Sequence, residues 1–268
     1  MKIRKYFTLS LLVCFCLCFS TITFAHTLWL NVSDYSPEIY PKYGARTKVY
    51  FGWGHHYPVD DFLSQENLDD FSLIRPNGDN EKLKPNPGGF LATSVSFKGP
   101  GAYLVCAELK PGFYTMYREK GRIHHKTGPK TGLKGIILSL YYEEYAKALI
   151  NVGEGSDDSF KRPVGHNLEI VPLIDPSRLK TGNHLPVQVL FKGKPARYCK
   201  VYATYSGFST DCDFAYTTTT NGKGEARIRI IHYGQWLIKA GVKLPATGEL
   251  KEKCNELSYS ATLTFEVP

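Results

Sequence analysis

The feature that most constrains the fold is a succession of short apolar runs, each ended within a few residues by Gly, Pro or Asn. Several runs alternate apolar with polar residues, as the segment around Val49 and Phe51 does. A period of two is typical of strands with one buried face. Turn signals such as Asn221-Gly222 separate the runs, because both residues tolerate a positive φ. The sequence therefore predicts an all-β chain.

The predicted strands form two groups. Those of the first half are residues 27–30, 47–53, 71–75, 89–97, 101–108 and 147–152. Those of the second half are residues 167–172, 184–191, 200–205, 215–220, 225–231, 236–240 and 261–267. About seven strands in roughly a hundred residues suit an immunoglobulin-like sandwich. We therefore expect two immunoglobulin-like β-sandwich domains.

The expected domain boundaries follow from this grouping. Residues 26–164 form an N-terminal β-sandwich, with a long loop excursion near 113–135, and residues 165–268 form a C-terminal immunoglobulin-like β-sandwich. The polar segment 153–164 contains Gly and Pro and is the expected linker. The segment 138–145 is compatible with a helix or a strand.

Residues 1–25 have the features of a cleaved secretory signal peptide. A basic start precedes the apolar run 7–19, which is shorter than the roughly 20 residues of a membrane span. Thr23-Phe24-Ala25 is an acceptable cleavage site. We expect a soluble, periplasmic mature chain with no transmembrane segment. Removal of Lys2, Arg4 and Lys5 changes the formal charge from +8 to +5, and the absence of a dense basic stripe argues against nucleic acid as a partner.

The mature chain would keep four cysteines, namely Cys106, Cys199, Cys212 and Cys254. An even number in an oxidising compartment permits two disulfides in three connectivities. The grouping of three cysteines in the second half favours a single bond among Cys199, Cys212 and Cys254.

Cleavage after Ala25 would make His26 the N-terminal residue. Its free α-amino group and its imidazole can then close a chelate ring on one metal ion. Since the α-amino pKa is about 7.7–8.0, a metal can displace that proton near neutral pH. The alternative is that His26 merely happens to follow the cleavage site.

A second candidate segment follows the strand at 47–53. His55 and His56 lie between Gly54 and Pro58, and Asp60 follows as a hard ligand or as an orienting partner of a histidine. Consecutive strand residues point to opposite faces, so one of the two histidines should face the first strand. The alternative is a turn with surface histidines and solvated carboxylates.

Taken together, His26, His55, His56 and Asp60 are the candidate metal ligands. An amino nitrogen and two imidazoles suit Ni(II) or Cu(II), and zinc also accepts such donors. His124 and His125 form a weaker pair, whose role as surface residues or as a metal-collecting segment the sequence leaves open.

Seven segments resemble an exported bacterial family labelled as a nickel-uptake substrate-specific component. Residues 25–30 resemble its A-H-x-x-W-L start, and residues 54–60 resemble its G-H-x-[FY]-P-x-D segment. Residues 145–153 resemble Y-A-K-[AS]-L-x-x-V-G, and residues 189–195 resemble V-L-F-x-G-K-P. Its closing elements are similar to residues 220–224, 234–240 and 261–267.

This resemblance implies a periplasmic two-sandwich protein that works beside an energy-coupling-factor transporter for nickel or cobalt. It carries metal-ligand roles onto His26 and His55. Many members have a histidine where this chain has Val242, so His56, His232 or another group would have to replace it.

The resulting expectation is a non-enzymatic protein that captures a nickel or cobalt ion, with copper as an alternative, and supports its uptake by a membrane transporter. Two alternatives remain open at this point. One is a copper-dependent enzyme that cleaves polysaccharides oxidatively, and the other is a non-catalytic envelope or adhesion module. The sequence has no nucleophile elbow, phosphate loop or dinucleotide fingerprint.

Overall fold

The computed structural model describes residues 26–153 and 158–268. The expected signal peptide, residues 1–25, and residues 154–157 of the expected linker lie outside the described residues. In the described part of the chain the regular secondary structure is nearly all β, which confirms the all-β prediction. Within it, no helix has the length and the apolar character needed to cross a membrane.

Within residues 26–153 and 158–268, seventeen strands and one short α-helix are joined by turns and loops. The strands are β1 Thr27–Val32, β2 Ala45–Gly54, β3 Leu68–Ile74, β4 Asn80–Lys82, β5 Thr93–Phe97, β6 Gly101–Leu109, β7 Gly112–Glu119, β8 Arg122–Thr127, β9 Ile136–Val152, β10 Leu168–Pro172, β11 His184–Phe191, β12 Lys194–Pro195, β13 Lys200–Tyr205, β14 Tyr216–Thr219, β15 Glu225–Arg229, β16 Gly234–Pro245 and β17 Glu256–Val267. One short helix, α1, spans Leu250–Lys253. Four 3-10 turns are Gln65–Asn67, Gly89–Leu91, Asp158–Lys161 and Pro176–Arg178.

These strands form three sheets. A three-stranded sheet has the order β1-β2-β5, and a four-stranded sheet contains β10, β11, β12 and β15. A ten-stranded sheet runs β14-β13-β16-β17-β9-β6-β3-β4, with β7 pairing β9 and β8 pairing β7. The β17–β9 pair is parallel, and it joins the strands of the second half to those of the first.

The large sheet is covered on both faces, so the molecule has two hydrophobic cores. Ala146, Ala148 and Ile150 of β9 face the core against β1, β2 and β5. Tyr145 and Leu149 face the core that contains β10, β11 and β15. Alternate residues of β9 therefore contribute to two different cores, one on each face of the large sheet. This arrangement confirms the β-sandwich fold, and it places one shared sheet where the sequence suggested two separate units.

The structure defines three segments that the sequence left irregular or open. The segment 113–135, expected as a long loop, contains the hairpin of β7 and β8. The ambiguous segment 138–145 is extended and continues into the 17-residue strand β9. The described part of the expected linker is packed, since Phe160 is buried and the Ser159 hydroxyl donates to the carbonyl oxygen of Ala102 at 2.8 Å. The domain boundary at 164/165 stays a prediction.

The expected disulfide is wrong. Cys106, Cys199, Cys212 and Cys254 are all free thiols, and Cys212 alone among these four is exposed. The Cys199 thiol lies 3.3 Å from the carbonyl oxygen of Gly241, and the Cys254 thiol lies 3.5 Å from that of Leu250. The two buried sulfurs thus have separate backbone neighbours. Spacing along the chain carries no information about this separation.

Candidate metal centre

The loop after β2 is closed at its base and held by one carboxylate. The amide of Asp61 donates to the carbonyl oxygen of Trp53 at 2.9 Å. Asp60 Oδ2 accepts hydrogen bonds from the amides of His55, at 2.6 Å, and His56, at 3.1 Å. Gly54 has φ +132°, and a Cβ there would lie 2.2 Å from Asp60 Oδ2. Glycine is therefore required for the carboxylate to reach both amides.

The register of β1 against β2 brings the loop to His26. Thr27 pairs with Gly54, so the residue before Thr27 lies opposite the residue after Gly54. The ring centroids of His26 and His55 are 4.6 Å apart, and those of His26 and Trp53 are 5.3 Å apart. The structure therefore places side by side two imidazoles that are 29 positions apart in the chain.

A tryptophan and an asparagine on β1 support the loop from below. Trp29 lies across Gly52, where a Cβ would be 2.0 Å from the indole nitrogen. The indole N–H donates to the carbonyl oxygen of Pro58 at 2.9 Å, and Asn31 Nδ2 donates to the same oxygen at 3.0 Å. These contacts fix the loop on a buried strand, which is how a rigid scaffold positions ligand side chains.

The imidazole of His56 contacts Asp60 and Cys212. His56 Nδ1 lies 3.2 Å from Asp60 Oδ1, and His56 Nε2 lies 3.6 Å from Cys212 Sγ. Asp60 thus orients an imidazole and caps the loop, the second of the two roles considered for it. Within residues 26–153 and 158–268, no group of three or more His, Cys, Asp and Glu side chains is arranged to hold a metal ion.

The electrostatics favour a neutral imidazole at His55. Burial lowers the pKa of His55, and the neighbouring His26 and Lys239 lower it further. A neutral imidazole is the form that binds metals. Burial alone would raise the pKa of Asp60, but the hydrogen bonds from the His55 and His56 amides outweigh this, so its pKa is lowered and it stays ionised.

Two charged residues beside the centre were missed by the sequence analysis. Glu144 of β9 accepts a hydrogen bond from the amide of Leu28 at 2.9 Å. Lys239 of β16 donates a hydrogen bond to the hydroxyl oxygen of Thr27. Burial raises the pKa of Glu144 and lowers that of Lys239, while attraction between the two charges opposes both shifts. The sequence around Glu144 and around Lys239 does not indicate that they lie beside the centre, because this location depends on long-range strand pairing.

Three further histidines, His124, His125 and His232, contact aromatic rings. His124 stacks on Tyr117 with centroids 5.3 Å apart, and His125 lies against Tyr114 on the same hairpin. His232 stacks on a tyrosine with centroids 4.5 Å apart. In the described part of the chain, none of these three rings contacts His26 or His55. Metal collection by the hairpin therefore stays a prediction.

A protein family with the description "Domain of unknown function (DUF4198)" matches residues 23–244. The chain belongs to the DUF4198 family. This match covers most of the described residues, including both strands that form the candidate centre. The DUF4198 description states no ligand and no activity. Among curated proteins, no sequence matches this chain.

Two solved structures are similar at low identity. The D00-D0 domain of intimin has 14% identity, and the similarity covers 89% of this chain and 98% of that chain with a TM-score of 0.20. A DUF3823 family protein from Bacteroides uniformis ATCC 8492 has 12% identity, with 91% of this chain and 100% of that chain covered and a TM-score of 0.23. Scores this low carry no argument about this DUF4198 protein.

Proposed function

We propose that this DUF4198 protein is exported to the periplasm, binds a nickel or cobalt ion, and supports the uptake of that ion by a membrane transporter. The observation that supports this most is the 4.6 Å separation between the ring centroids of His26 and His55. His26 is also the residue that signal cleavage would leave at the N-terminus.

Three nitrogen donors would be available in the processed chain. Two are the imidazoles of His26 and His55, and the third is the α-amino group of His26. Such a set suits Ni(II), and it also suits Cu(II). Because the described side chains alone supply no group of three ligands, the amino nitrogen is essential to the proposal. Asp60 would act by fixing the loop, and the ring of His56, held by Asp60, would be a further donor only after reorientation.

The exposure of the two residues suits capture followed by release. His26 is exposed and His55 is half-buried, so one ligand is open to a partner while the other is held by the scaffold. His26 also borders a deep cleft of about 1030 Å³. An enzyme that acts on polysaccharide surfaces would need a flat face there, so the transport function is the better fit.

The test is calorimetric titration of NiSO4 into the mature protein, after mass spectrometry has established that the chain begins at His26. We expect near-equimolar binding. His26→Ala and His55→Ala should each weaken it at least about tenfold, which corresponds to about 1.4 kcal/mol. A chain whose α-amino group is acetylated keeps both imidazoles but loses the amino donor, and it should bind nickel as weakly as His26→Ala.

His184→Ala is the matched control, because His184 is an exposed histidine at the start of β11 with no proposed metal role. Its nickel affinity should equal that of the unmodified chain. Unchanged affinity in both His26→Ala and His55→Ala would refute the proposal. Absence of any affinity for nickel, cobalt or copper would favour the envelope module, and reductant-dependent cleavage of a polysaccharide with copper would favour the enzyme.

A further inference from the structure

A large concave surface borders His26, and its other lining residues are not ligands in the proposed metal centre. This basic cleft has a volume of about 1030 Å³ and runs along β13, β16, β17 and β9. Gly241 pairs with Lys200 on one side and with Ser260 on the other, and Ser260 in turn pairs with Glu144. The cleft lining therefore includes two small residues, Gly241 and Ser260, between the longer side chains of Lys200 and Glu144.

The cleft is rich in positive charge. Six of its lining residues are basic, namely Lys192, Lys194, Arg197, Lys200, Lys239 and Lys243. One lining residue is acidic, and that is the buried Glu144. Across residues 26–153 and 158–268, no carboxylate pairs with the side chains of Lys194, Arg197 and Lys200. Clustered cations without counter-charges repel one another, so an anion in the cleft would be stabilised.

Aromatic rings line the same cleft. Phe191 and Tyr259 pack edge to face with centroids 4.9 Å apart, and Lys192 Nζ lies 5.4 and 5.5 Å from their centroids. Tyr198 is 75% exposed and has φ +56°, a left-handed conformation that is uncommon for a bulky residue. An aromatic side chain held in this backbone conformation beside open cations is the kind of outlier that marks a ligand clamp.

We propose that the basic cleft binds an organic polycarboxylate. The cleft is as large as the sites that enclose drug-sized ligands, which are roughly 300–1,000 Å³. It is thus far larger than an inorganic phosphate requires, and its rings can cover a carbon skeleton while the lysines meet the carboxylates. This inference goes beyond metal binding, since it involves other residues and needs no metal ion.

The test is calorimetric titration of citrate into the metal-free, full mature chain at low ionic strength. We expect near-equimolar binding that weakens as salt is added. The double variant Arg197→Gln/Lys200→Gln should lose at least about tenfold in citrate affinity, since two charge-assisted contacts are removed. Lys48→Gln/Lys110→Gln removes the same charge at exposed positions outside the cleft and should keep the full affinity.

Three results would overturn this inference. They are no citrate binding, an equal loss of affinity in both double variants, and inorganic phosphate binding as tightly as citrate. Circular dichroism establishes that each variant is folded before titration. His55→Ala, which disables the proposed metal centre at a residue outside the cleft lining, should still bind citrate within about threefold of the unmodified chain. Failure of nickel binding and failure of citrate binding can therefore be told apart.

Discussion

Lys147 provides the sharpest test of how the two halves of the molecule are joined. It lies in the middle of β9, and its Nζ is 2.6 Å from Glu169 Oε1 at the start of the second half. Both side chains are 2% exposed. Glu169 also accepts hydrogen bonds from the amides of Val164, at 2.7 Å, and Gly165, at 3.2 Å. The pair therefore ties the shared sheet to the segment that precedes β10.

Lys147→Met should destabilise the protein strongly. The methionine fills similar volume but leaves the Glu169 carboxylate buried without its cation, and removal of one partner of a buried ion pair costs about 3–5 kcal/mol. The two amide donors to Glu169 remain, so we expect the lower end, about 3 kcal/mol. The double variant Lys147→Met/Glu169→Gln removes the stranded charge and should be more stable than Lys147→Met alone.

Urea denaturation followed by tryptophan fluorescence measures these differences. Lys161→Met is the matched control, since Lys161 pairs with Asp158 at 2.7 Å but the two side chains are 41% and 80% exposed. Its free energy of unfolding should change by less than about 1 kcal/mol. If Lys147→Met lost no more than this control, the idea that the buried pair stabilises the junction would be refuted.

Two further predictions concern His166 and the free thiols. Burial, and then the charge of Lys147, lowers the pKa of His166 to about 3. In the unfolded chain this histidine has a pKa of about 6.5, so below that pH the unfolded state binds a proton that the folded state excludes. The free energy of unfolding therefore falls as the pH falls, by about 2 kcal/mol at pH 5. Urea midpoints at pH 7 and pH 5 should differ less in His166→Gln, and an equal difference would contradict the assignment. For the thiols, Ellman's reagent should label one cysteine, Cys212, in the native mature chain and four after unfolding; fewer than four would indicate a disulfide.

The fold was predictable where strands have one buried face. β2 and β5 alternate buried and exposed residues over most of their length, so their period of two is visible in the sequence. β9 is different, because residues 143–150 are buried on both faces between two cores. Its run of glutamates, alanines and a lysine therefore lacks the alternation that identifies a strand. The glutamates and Lys147 are accommodated by partners from distant strands, such as Glu169, which no local pattern indicates.

The candidate site was predictable only in part, for a similar reason. His26 and His55 stood out because one follows a cleavage signal and the other follows a glycine-rich strand end. Their proximity requires the register that pairs Thr27 with Gly54, and this follows from two adjacent strands. Glu144 and Lys239 reach the same region through β9 and β16, so their role depends on the order of strands in the ten-stranded sheet. That order cannot be inferred from spacing along the chain.

His26 belongs to both the proposed metal centre and the wall of the basic cleft, so the two binding events should be linked. A bound Ni(II) adds positive charge at the edge of a cleft that already contains six cations, and it should strengthen the binding of an anion there. Thermodynamic linkage requires the anion to strengthen metal binding by the same factor. Citrate also chelates nickel in solution, which would weaken metal binding to the protein, so the factor must be measured from the citrate side, with the nickel-loaded chain compared with the metal-free chain. Equal citrate affinity in the nickel-loaded and metal-free chains would mean that the metal centre and the basic cleft bind independently, although His26 lies in both.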